Sequence, residues 1–565
     1  MDIYKKSVVD ALHSALSKEI DASLIEVPPN PSMGDFAFPC FSLAKELRKS
    51  PAAIASELAT QIKPNKIIAQ VKAIGPYLNF FVNKESLAKS TLKKVFAQKE
   101  NYGKGTKKNY TVMIESPGPN TNKPLHLGHV RNMVLGNALI NMFDFTGNKT
   151  VRVDIVNDRG IHICKSMLAY QKFGHNKNPD KKSDHFVGDF YVRYAKELEN
   201  HPEFEEEIKV MLKNWEDGEP KTRTLLKKMN DWAVSGFKET YERYGVKMDK
   251  AYHESDHYMK GKELALEGLK KGIFEKDDKG NIIVDLEKEG LGKKVVLRAD
   301  GTSIYITQDL VLAKLRLLDY SMNKLIYVVG NEQIHHFQSL FKIFELFEFP
   351  FAKDCFHLAY GMINLPEGKM KSRVGKVVDA DDLADEMHSI AKEEIKKRFP
   401  DLSENELVAR AEQIGLSAIK FFILKYDPMK DFTYDPKESI SFEGETGPYV
   451  QYTHARICSI IRKYGKAVSD DVDYSLLIEK EEHELIKMLT DYSAVMEKSA
   501  LEYKPSIICR YLLDLSQNFN NYYHAHKVIQ ENVELEKARI LLVYSVKEVL
   551  KSGLAVLGID SPDEM

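Results

Sequence analysis

The sequence predicts a multidomain α/β protein, with a parallel-sheet domain in the middle, an α+β domain before it and a nearly all-helical region after it. Three observations support this. Short β-prone runs alternate with amphipathic helices between about residues 110 and 347, helix and strand patterns mix in the first 100 residues, and helical periodicity is almost continuous after residue 379. The 565-residue chain is too long for one core, and its 43% hydrophobic and 29% charged residues are typical of a globular protein.

The first 100 residues predict a small α+β domain. Helices are expected over residues 7–20, 41–48 and 52–62, and strands with a Gly-Pro break over residues 71–82. Pro51 suits the first turn of the third helix. We expect this domain to cover residues 1–100, with a glycine- and lysine-rich linker at residues 103–109.

The central domain is predicted from strands that are each followed by a helix. Strands are expected at residues 110–115, 150–156 and 324–330, and helices at residues 129–143, 161–171 and 333–347. This alternation implies a parallel sheet with right-handed crossovers. The long span between the second and third strands must contain an insertion, and its charged stretch at residues 184–294 suits a surface subdomain. We therefore expect a domain at residues 108–380 with an insertion within about 175–300.

The last third of the chain predicts amphipathic helices only. They are expected over residues 382–398, 404–425, 449–464, 481–501, 506–524 and 534–557. We divide this region into a helical connector at residues 381–446 and a helical domain at residues 447–565.

Charge and cysteine content limit the class of protein. Lys and Arg total 81 and Asp and Glu total 83, so the net charge of −2 neither indicates nor excludes a nucleic-acid partner. Five scattered cysteines without a Cys-x-x-Cys motif favour a reducing compartment and make a zinc or other metal site unexpected. The amino terminus resembles no signal or transit peptide, and no apolar run is long enough for a membrane span, so we expect a cytoplasmic protein without membrane contact.

The sharpest local motif lies at residues 120–132, between a predicted strand and a predicted helix. It contains His126-Leu-Gly128-His129, with Lys123 just before it. This junction is where nucleotides bind in parallel α/β sheets. The two imidazoles share one side of the first helical turn and can stabilise charge on an attacked α-phosphate, while Gly128 allows a purine to approach the backbone. The alternative is a pair of surface histidines beside a glycine turn.

A second motif lies at residues 368–375. It is a basic, hydroxyl-containing run between glycines, and its members are Lys369, Met370, Lys371, Ser372 and Arg373. Lysines on such a loop can close over a triphosphate and neutralise the leaving pyrophosphate. The alternative is a solvated basic surface loop.

Together the two motifs resemble the signatures of class I aminoacyl-tRNA synthetases, whose catalytic domain is a Rossmann-like parallel sheet. The wider context resembles the arginyl-tRNA synthetase family. The runs that carry this likeness are residues 34–37 (Gly-Asp-Phe-Ala), 114–126, 305–309 (Tyr-Ile-Thr-Gln-Asp), 327–336 and 442–456. The likeness extends over essentially the whole chain.

The resemblance implies an enzyme that activates arginine with Mg·ATP and transfers it to the 3′ end of tRNA(Arg), working as a monomer. The implied catalytic residues are His126, His129, Lys123 and Lys371. The implied ATP-binding residues are Pro124, Leu125, Leu127, Gly128, Lys369, Met370, Ser372 and Arg373, and the implied arginine-binding residues are Glu115, Asn120, Tyr305, Asp309 and Gln333. Carboxylates suit a planar guanidinium.

The resemblance also implies two tRNA-contacting regions. The helical carboxyl-terminal part is similar to an anticodon-binding bundle, and the first 100 residues to an additional tRNA-contacting domain. The implied contacts are Asp35, Phe36, Tyr449, Gln451, Tyr452 and Arg456. His454 and the Tyr522-Tyr523-His524 run also combine aromatic rings with hydrogen-bonding groups, which can stack on unpaired bases and read their edges.

Two departures from the family pattern stand out. The fourth residue of the basic motif is usually lysine, whereas here it is Ser372, and Lys371 precedes it. We therefore expect Lys123 to be the main phosphate contact and Lys371 to assist. Gly-Pro-Asn also precedes the first motif where Ser-Pro-Asn is common.

Three alternative functions fit the sequence less well. A nucleotidyltransferase with His-x-Gly-His is usually small and needs no helical domain. A non-catalytic tRNA-binding paralogue is expected to lose the histidines or the basic loop, and a cysteine-specific synthetase normally carries zinc-binding cysteines.

Overall fold

A computed structural model of the chain describes residues 3–28, 30, 33–365, 368–369 and 378–565. The chain divides into two compact units. Unit 1 contains residues 1–102, 456–492 and 514–552, and unit 2 contains residues 103–455, 493–513 and 553–565. The predicted basic-loop residues Met370, Lys371, Ser372 and Arg373 lie outside the described residues.

The amino-terminal part of unit 1 is an α+β fold, as predicted. Its helices are α1 (Ile3–Leu16), α2 (Ala44–Leu47), α3 (Pro51–Gln61) and α4 (Lys84–Gln98), and its strands are β1 (Phe36–Pro39), β2 (Ile68–Ile74) and β3 (Tyr77–Val82). The strands form an antiparallel sheet in the order β1-β3-β2. Ser50 caps α3 ahead of Pro51, and Asn83 caps α4, so local sequence fixes both helix starts.

Unit 2 is built on a five-stranded parallel sheet, which confirms the predicted α/β fold class. Its strands are β4 (Thr111–Glu115), β5 (Lys149–Val156), β6 (Lys250–His253), β7 (Glu275–Lys276), β8 (Ile282–Leu286), β9 (Gly292–Leu297), β10 (Lys324–Gly330), β11 (Cys355–Tyr360), β12 (Ile363–Leu365), β13 (Gly368–Lys369) and β14 (Phe432–Thr433). The main sheet has the order β11-β10-β4-β5-β6, and every neighbouring pair is parallel.

Helices cover the sheet and connect its strands. They are α5 (Leu127–Phe145), α6 (Ile161–Phe173), α7 (Ser183–Glu197), α8 (Phe204–Glu216), α9 (Pro220–Arg243), α10 (Glu254–His257), α11 (Lys260–Lys270), α12 (Tyr305–Tyr320), α13 (Ile334–Leu346), α14 (Ala380–Arg398), α15 (Glu404–Leu424) and α16 (Pro436–Ser439). Helix α5 joins β4 to β5, and α13 joins β10 to β11. These connections match the predicted strand–helix order.

The predicted insertion has its own hydrophobic core and also adds a strand to the main sheet. Helices α6 to α9 share a core that includes Tyr170, Phe186 and Trp215. The chain then returns to the main sheet as its edge strand β6, before β7, β8 and β9 form a separate antiparallel sheet. Four residues are too few for a recognisable alternating pattern, which is why the sequence did not predict β6.

The remaining helices are long, as predicted from periodicity. They are α17 (Gly447–Tyr464), α18 (Lys480–Glu502), α19 (Pro505–Ala525) and α20 (Val533–Val556). Residues 493–513 and 553–565 of this region group with unit 2 and the rest, from residue 456 on, with unit 1. Within the described part of the chain, no helix combines the length and hydropathy that a membrane span requires.

Candidate active site

The candidate site lies at the carboxyl-terminal edge of the parallel sheet. β4 ends at Glu115, and α5 begins at Leu127 after a connecting loop. β5 lies on one side of β4 and β10 on the other. The chain therefore leaves β4 towards β5 on one side of the sheet and later returns to its other side as β10. A crevice forms where the strand order reverses in this way, and ligands bind there in parallel α/β sheets.

Two histidines cap the amino terminus of α5. His126 Nδ1 accepts a hydrogen bond from the Gly128 amide at 3.1 Å, and His129 Nδ1 accepts one from the His126 amide at 3.1 Å. The ring centroids are 3.8 Å apart. Because both Nδ1 atoms accept, each neutral ring carries its proton on Nε2 and can donate it to a ligand.

Burial keeps both histidines neutral. Burial, with the nearby charge of Lys123, lowers the pKa of His126 to about 4. The pKa of His129 falls well below its ordinary value because of burial, with His126 and Lys123 adding to the effect. At neutral pH the pair therefore provides two uncharged N–H donors at the positive end of a helix dipole, an arrangement suited to phosphate oxygens.

The segment that follows the predicted basic loop is hydrogen-bonded to the histidine motif. Leu127 N donates to Val378 O at 2.9 Å, and Ala380 N donates to Leu125 O at 3.0 Å. Of the predicted loop residues, Lys369 ends β13. Val378 and Ala380, which follow the loop in sequence, are therefore fixed beside the histidine motif.

Arg131 holds the segment before the same loop. It is buried in the second turn of α5, and its guanidinium donates to Gly361 O at 2.6 Å and to Pro428 O and Lys430 O at 2.8 Å. It also lies 4.7 Å from the centroid of the Phe432 ring. One helix thus positions both the histidine pair and the backbone at Gly361, which precedes the loop in sequence, a role that the sequence did not reveal.

The structure brings together the two acidic residues predicted to bind arginine. Glu115 is buried at the end of β4 and forms an ion pair with Arg316 of α12. Asp309, also on α12, accepts a hydrogen bond from His336 Nε2 at 2.6 Å. Burial raises the pKa of Glu115, while the Arg316 charge lowers it and the Asp309 charge raises it.

The other predicted arginine-binding residues line the same sheet edge but are open to solvent. Asn120 is exposed and forms a parallel bridge with Asn157 after β5. Gln333 is exposed at the start of α13. Tyr305, one turn before Asp309 on α12, is 79% exposed, so its ring walls no closed pocket in this structure.

Asp154 is a buried acid near the end of β5 that the sequence analysis missed. It accepts hydrogen bonds from Gly118 N at 2.9 Å and from the Tyr241 hydroxyl at 3.0 Å. Burial raises its pKa to about 7. It thereby supports the loop between β4 and Asn120, and the only sequence signal for it was an acid within a strand whose neighbouring residues Val153 and Ile155 are apolar.

We expect Asp154 to make stability depend on pH. Its folded-state pKa lies above its unfolded value, so the folded protein binds a proton that the unfolded chain lacks between about pH 4 and pH 7. The contribution of Asp154 to the free energy of unfolding therefore falls as pH rises from about 4 to about 7 and stays constant at higher pH. Urea unfolding should show that Asp154→Asn gains stability relative to wild type between pH 5 and pH 8. If the difference in free energy of unfolding between Asp154→Asn and wild type is the same at every pH, the raised pKa of Asp154 is contradicted.

One cluster of possible metal ligands is already neutralised. The ligand atoms of Asp184, His185 and Asp381 lie within 4.8 Å of one another. The Lys182 ammonium group is 3.0 Å from Asp184 Oδ2 and 2.7 Å from Asp381 Oδ2. A side-chain cation therefore occupies the position that a metal ion would need.

The Gly-Asp-Phe motif of unit 1 has a structural role. Gly34 has φ 122°, and a Cβ there would lie 2.9 Å from Phe80 O. Asp35 donates from its amide to Phe80 O at 2.8 Å, and its carboxylate accepts a hydrogen bond from Val82 N at 2.9 Å. Phe36 is half-buried at the start of β1. The motif thus fastens β1 to β3, and its predicted tRNA contact stays a prediction.

The predicted tRNA contacts on α17 divide by burial. Tyr449 and Tyr452 are half-buried, whereas Gln451 is fully buried and donates to Asp560 O at 2.7 Å. The Gln451 side chain packs into the core of this structure, and its predicted tRNA contact stays a prediction. His454 is likewise fully buried.

The predicted contacts in unit 1 also differ in exposure. Arg456 is half-buried, and its guanidinium donates to Asn520 Oδ1 at 2.6 Å. Tyr522 is fully buried, whereas Tyr523 and His524 are exposed on α19. Only the exposed side chains of the run can reach a base.

Comparisons with known proteins identify the family of the chain. Three family models match: the arginyl tRNA synthetase N-terminal domain at residues 2–82, the class I (R) tRNA synthetase catalytic domain at residues 91–436, and the DALR anticodon binding domain at residues 450–565. The chain is 46% identical to an arginine–tRNA ligase of Treponema denticola, over 98% of this chain and 97% of that protein. It is 43% identical to that of Treponema pallidum, over 96% and 95%.

A solved structure gives the same result. The arginyl-tRNA synthetase of Thermus thermophilus is 26% identical and superposes with a TM-score of 0.84, covering 99% of this chain and 100% of that one. The chain therefore belongs to the arginyl-tRNA synthetase family.

Proposed function

We propose that this protein is an arginine–tRNA ligase, which forms arginyl-adenylate from arginine and ATP and transfers the arginyl group to tRNA(Arg). The observation that carries this proposal is the placement of two neutral histidine donors and two carboxyl groups, Glu115 and Asp309, at one sheet edge. The first group suits a triphosphate and the second a guanidinium.

The test is ATP–pyrophosphate exchange with each of the twenty amino acids in the presence of tRNA. We expect exchange with arginine alone. Activation of a different amino acid, or of none, would contradict the proposal.

The reaction has two steps. The arginine carboxylate attacks the α-phosphorus of Mg·ATP and releases pyrophosphate, and the 2′-hydroxyl of the terminal adenosine of tRNA then attacks the mixed anhydride and releases AMP. His126 and His129 donate from Nε2 to phosphate oxygens as charge builds at the phosphorus. Because their protons stay in place, these residues act by charge stabilisation and positioning.

The remaining ligand contacts follow from this placement. Residues 124–128 give the adenine nucleotide a backbone surface at the start of α5, and Asn120 and Gln333 bind the α-amino and carboxylate groups of arginine. Tyr305 closes over the substrate once arginine is bound. The predicted tRNA contacts come from each unit separately. In unit 2 they are the half-buried side chains of Tyr449 and Tyr452, and in unit 1 those of Asp35, Phe36 and Arg456, with the exposed Tyr523.

The organisation of the protein is part of the proposal. Residues 1–100 and 447–565 contact tRNA, and residues 108–380 hold the reacting groups. The enzyme works as a monomer in the cytoplasm.

Lys123 should be the main cationic contact of the triphosphate. It is close enough to both histidines to lower the pKa of each. In tRNA-dependent pyrophosphate exchange we expect a larger loss for Lys123→Ala than for Lys371→Ala, and a less-than-additive double variant, because both lysines act on one charge. Lys221→Ala, at an exposed position on α9, is the control and should match wild type.

The same assay tests tRNA dependence. We expect exchange only when tRNA is present, which implies that tRNA completes the site. Strong exchange without tRNA would contradict this coupling, and full activity of Lys123→Ala would contradict the role of that lysine.

A further inference from the structure

Arg316 places a buried positive charge beside the proposed arginine pocket. Its guanidinium pairs with Glu115, and the two side chains are 1% and 12% exposed. It also lies 5.2 Å from the centroid of the Tyr252 ring. Its Nε and Nη2 atoms are buried and have no hydrogen-bond partner among the described residues. Charge and packing, rather than a full set of hydrogen bonds, therefore hold it in place.

The pair has a second carboxyl group next to it. Asp309 precedes Arg316 by about two turns on α12, so the two share a face of the helix. Burial raises the pKa of Glu115, the Arg316 guanidinium lowers it, and Asp309 raises it again. Removing Arg316 would leave only the two influences that favour the protonated acid.

Other titratable groups interact with this cluster from neighbouring elements. They are the Tyr327 hydroxyl on β10, the Asp154 carboxyl on β5, the Tyr252 hydroxyl on β6, the His336 ring on α13 and the Glu254 carboxyl on α10, which is paired with Arg159. None of these five groups carries a permanent positive charge, whereas an arginine stays charged at every physiological pH. Arg316 is therefore the fixed cation that faces Glu115.

Two carboxylates that share a buried site do not both remain ionised without compensation. Glu115, Asp309 and Arg316 together carry one net negative charge, which one substrate guanidinium neutralises. We propose that Arg316 is a specificity-determining positioning residue: its charge keeps Glu115 ionised beside Asp309, so that the pocket favours a guanidinium over a neutral side chain of the same length. This inference rests on the proposed arginine activation.

The experiment compares full-length wild type, Arg316→Lys and Arg316→Met in tRNA-dependent pyrophosphate exchange between pH 6.5 and pH 9. We expect Arg316→Met to raise the arginine KM at pH 7 by about tenfold or more, because Glu115 takes up a proton, and the KM should fall back as pH rises. Arg316→Lys keeps a charge and should follow the pH profile of wild type. The ATP KM, an internal control, should stay constant.

Citrulline, which is neutral and as long as arginine, gives an independent readout. At pH 7 the preference for arginine over citrulline, measured as inhibitor, should fall about tenfold in Arg316→Met because the protonated pocket no longer selects for charge. An unchanged preference, or a KM increase that is the same at every pH, would show a purely structural role and overturn the inference. If wild type does not activate arginine, the proposed function itself fails.

A double variant decides the matter if Arg316→Met does not fold. Glu115→Gln combined with Arg316→Met neutralises both buried partners and leaves no unpaired charge, so it should fold where the single variant does not. Its arginine KM should be raised but independent of pH, because the group that titrates is gone. If the arginine KM of this double variant still falls as pH rises, a group other than Glu115 is titrating, and the inference is overturned.

Discussion

His129→Ala is expected to slow formation of arginyl-adenylate by about 10²–10³-fold, the usual effect of losing one transition-state donor. The Nε2–H group of His129 is fixed by the bond that its Nδ1 accepts from the His126 amide, so the donor needs no reorganisation when charge builds on the phosphate. The loss should fall on kcat more than on the arginine KM. Single-turnover pyrophosphate release in the presence of tRNA measures it.

His129→Asn is the matched control for the structural part of this effect. Its amide oxygen can accept the His126 N–H bond, so the cap is preserved, and its amide nitrogen remains a donor. We expect a smaller loss of kcat than in His129→Ala. Loss of the cap alone costs about 1 kcal/mol of stability, which urea unfolding detects separately. Normal adenylate formation in His129→Ala would exclude the proposed role, and His126→Ala should behave similarly.

Asp309→Asn is expected to reduce kcat/KM for arginine by roughly 2–4 kcal/mol, since a substrate guanidinium loses a charged partner in a partly buried site. The change preserves shape and leaves Oδ1 able to accept a bond from His336, which lies 2.6 Å from Asp309 Oδ2 in the wild-type protein. Discrimination against citrulline should weaken at the same time.

Asp231→Asn provides the control for removing an aspartate charge. Asp231 is an exposed residue of α9 that pairs with Lys227, also exposed. Surface pairs of this kind contribute little, so its arginine kinetics should equal those of wild type. If Asp309→Asn shares those unchanged kinetics, Asp309 lies outside the arginine pocket.

The elements that carry the signature motifs were predictable because their periodicity is local. The strand predicted at residues 324–330 is β10 without change, and the helix predicted at residues 129–143 is the middle of α5. The N-terminal extension of α5 to Leu127 comes from the histidine caps. Histidine is not a common N-cap residue, so the usual start signals did not apply.

The long-range partners could not be predicted, because they depend on which strands become neighbours. Arg316 lies far along the chain from Glu115, and nothing in the sequence of α12 distinguishes it from a surface arginine. Arg131 stands within the first signature, yet its three carbonyl partners come from residues more than 200 positions away. Buried charge pairing is a tertiary property.

The helical region shows a different limit. Gln451 and Tyr522 are residue types that can contact bases, but periodicity puts each on the apolar side of its helix, and both are fully buried.

Removing the chain after residue 446 would also remove contacts within unit 2. Tyr503 stacks on Phe356, with ring centroids 3.9 Å apart, and Lys504 pairs with Asp427 at 2.9 Å. Helical segments that look separable in sequence are therefore needed by the sheet-containing unit.

The attachment of the basic loop at both ends has a consequence for chain entropy. Arg131 holds Gly361 before the loop, and Leu125 and Leu127 hold the segment from Val378 after it. When the ends of a segment are fixed by other contacts, doubling its length costs only about 0.6 kcal/mol. Lengthening the chain between these two attachments should therefore leave the free energy of unfolding almost unaltered, which urea unfolding of a variant with inserted glycines would measure.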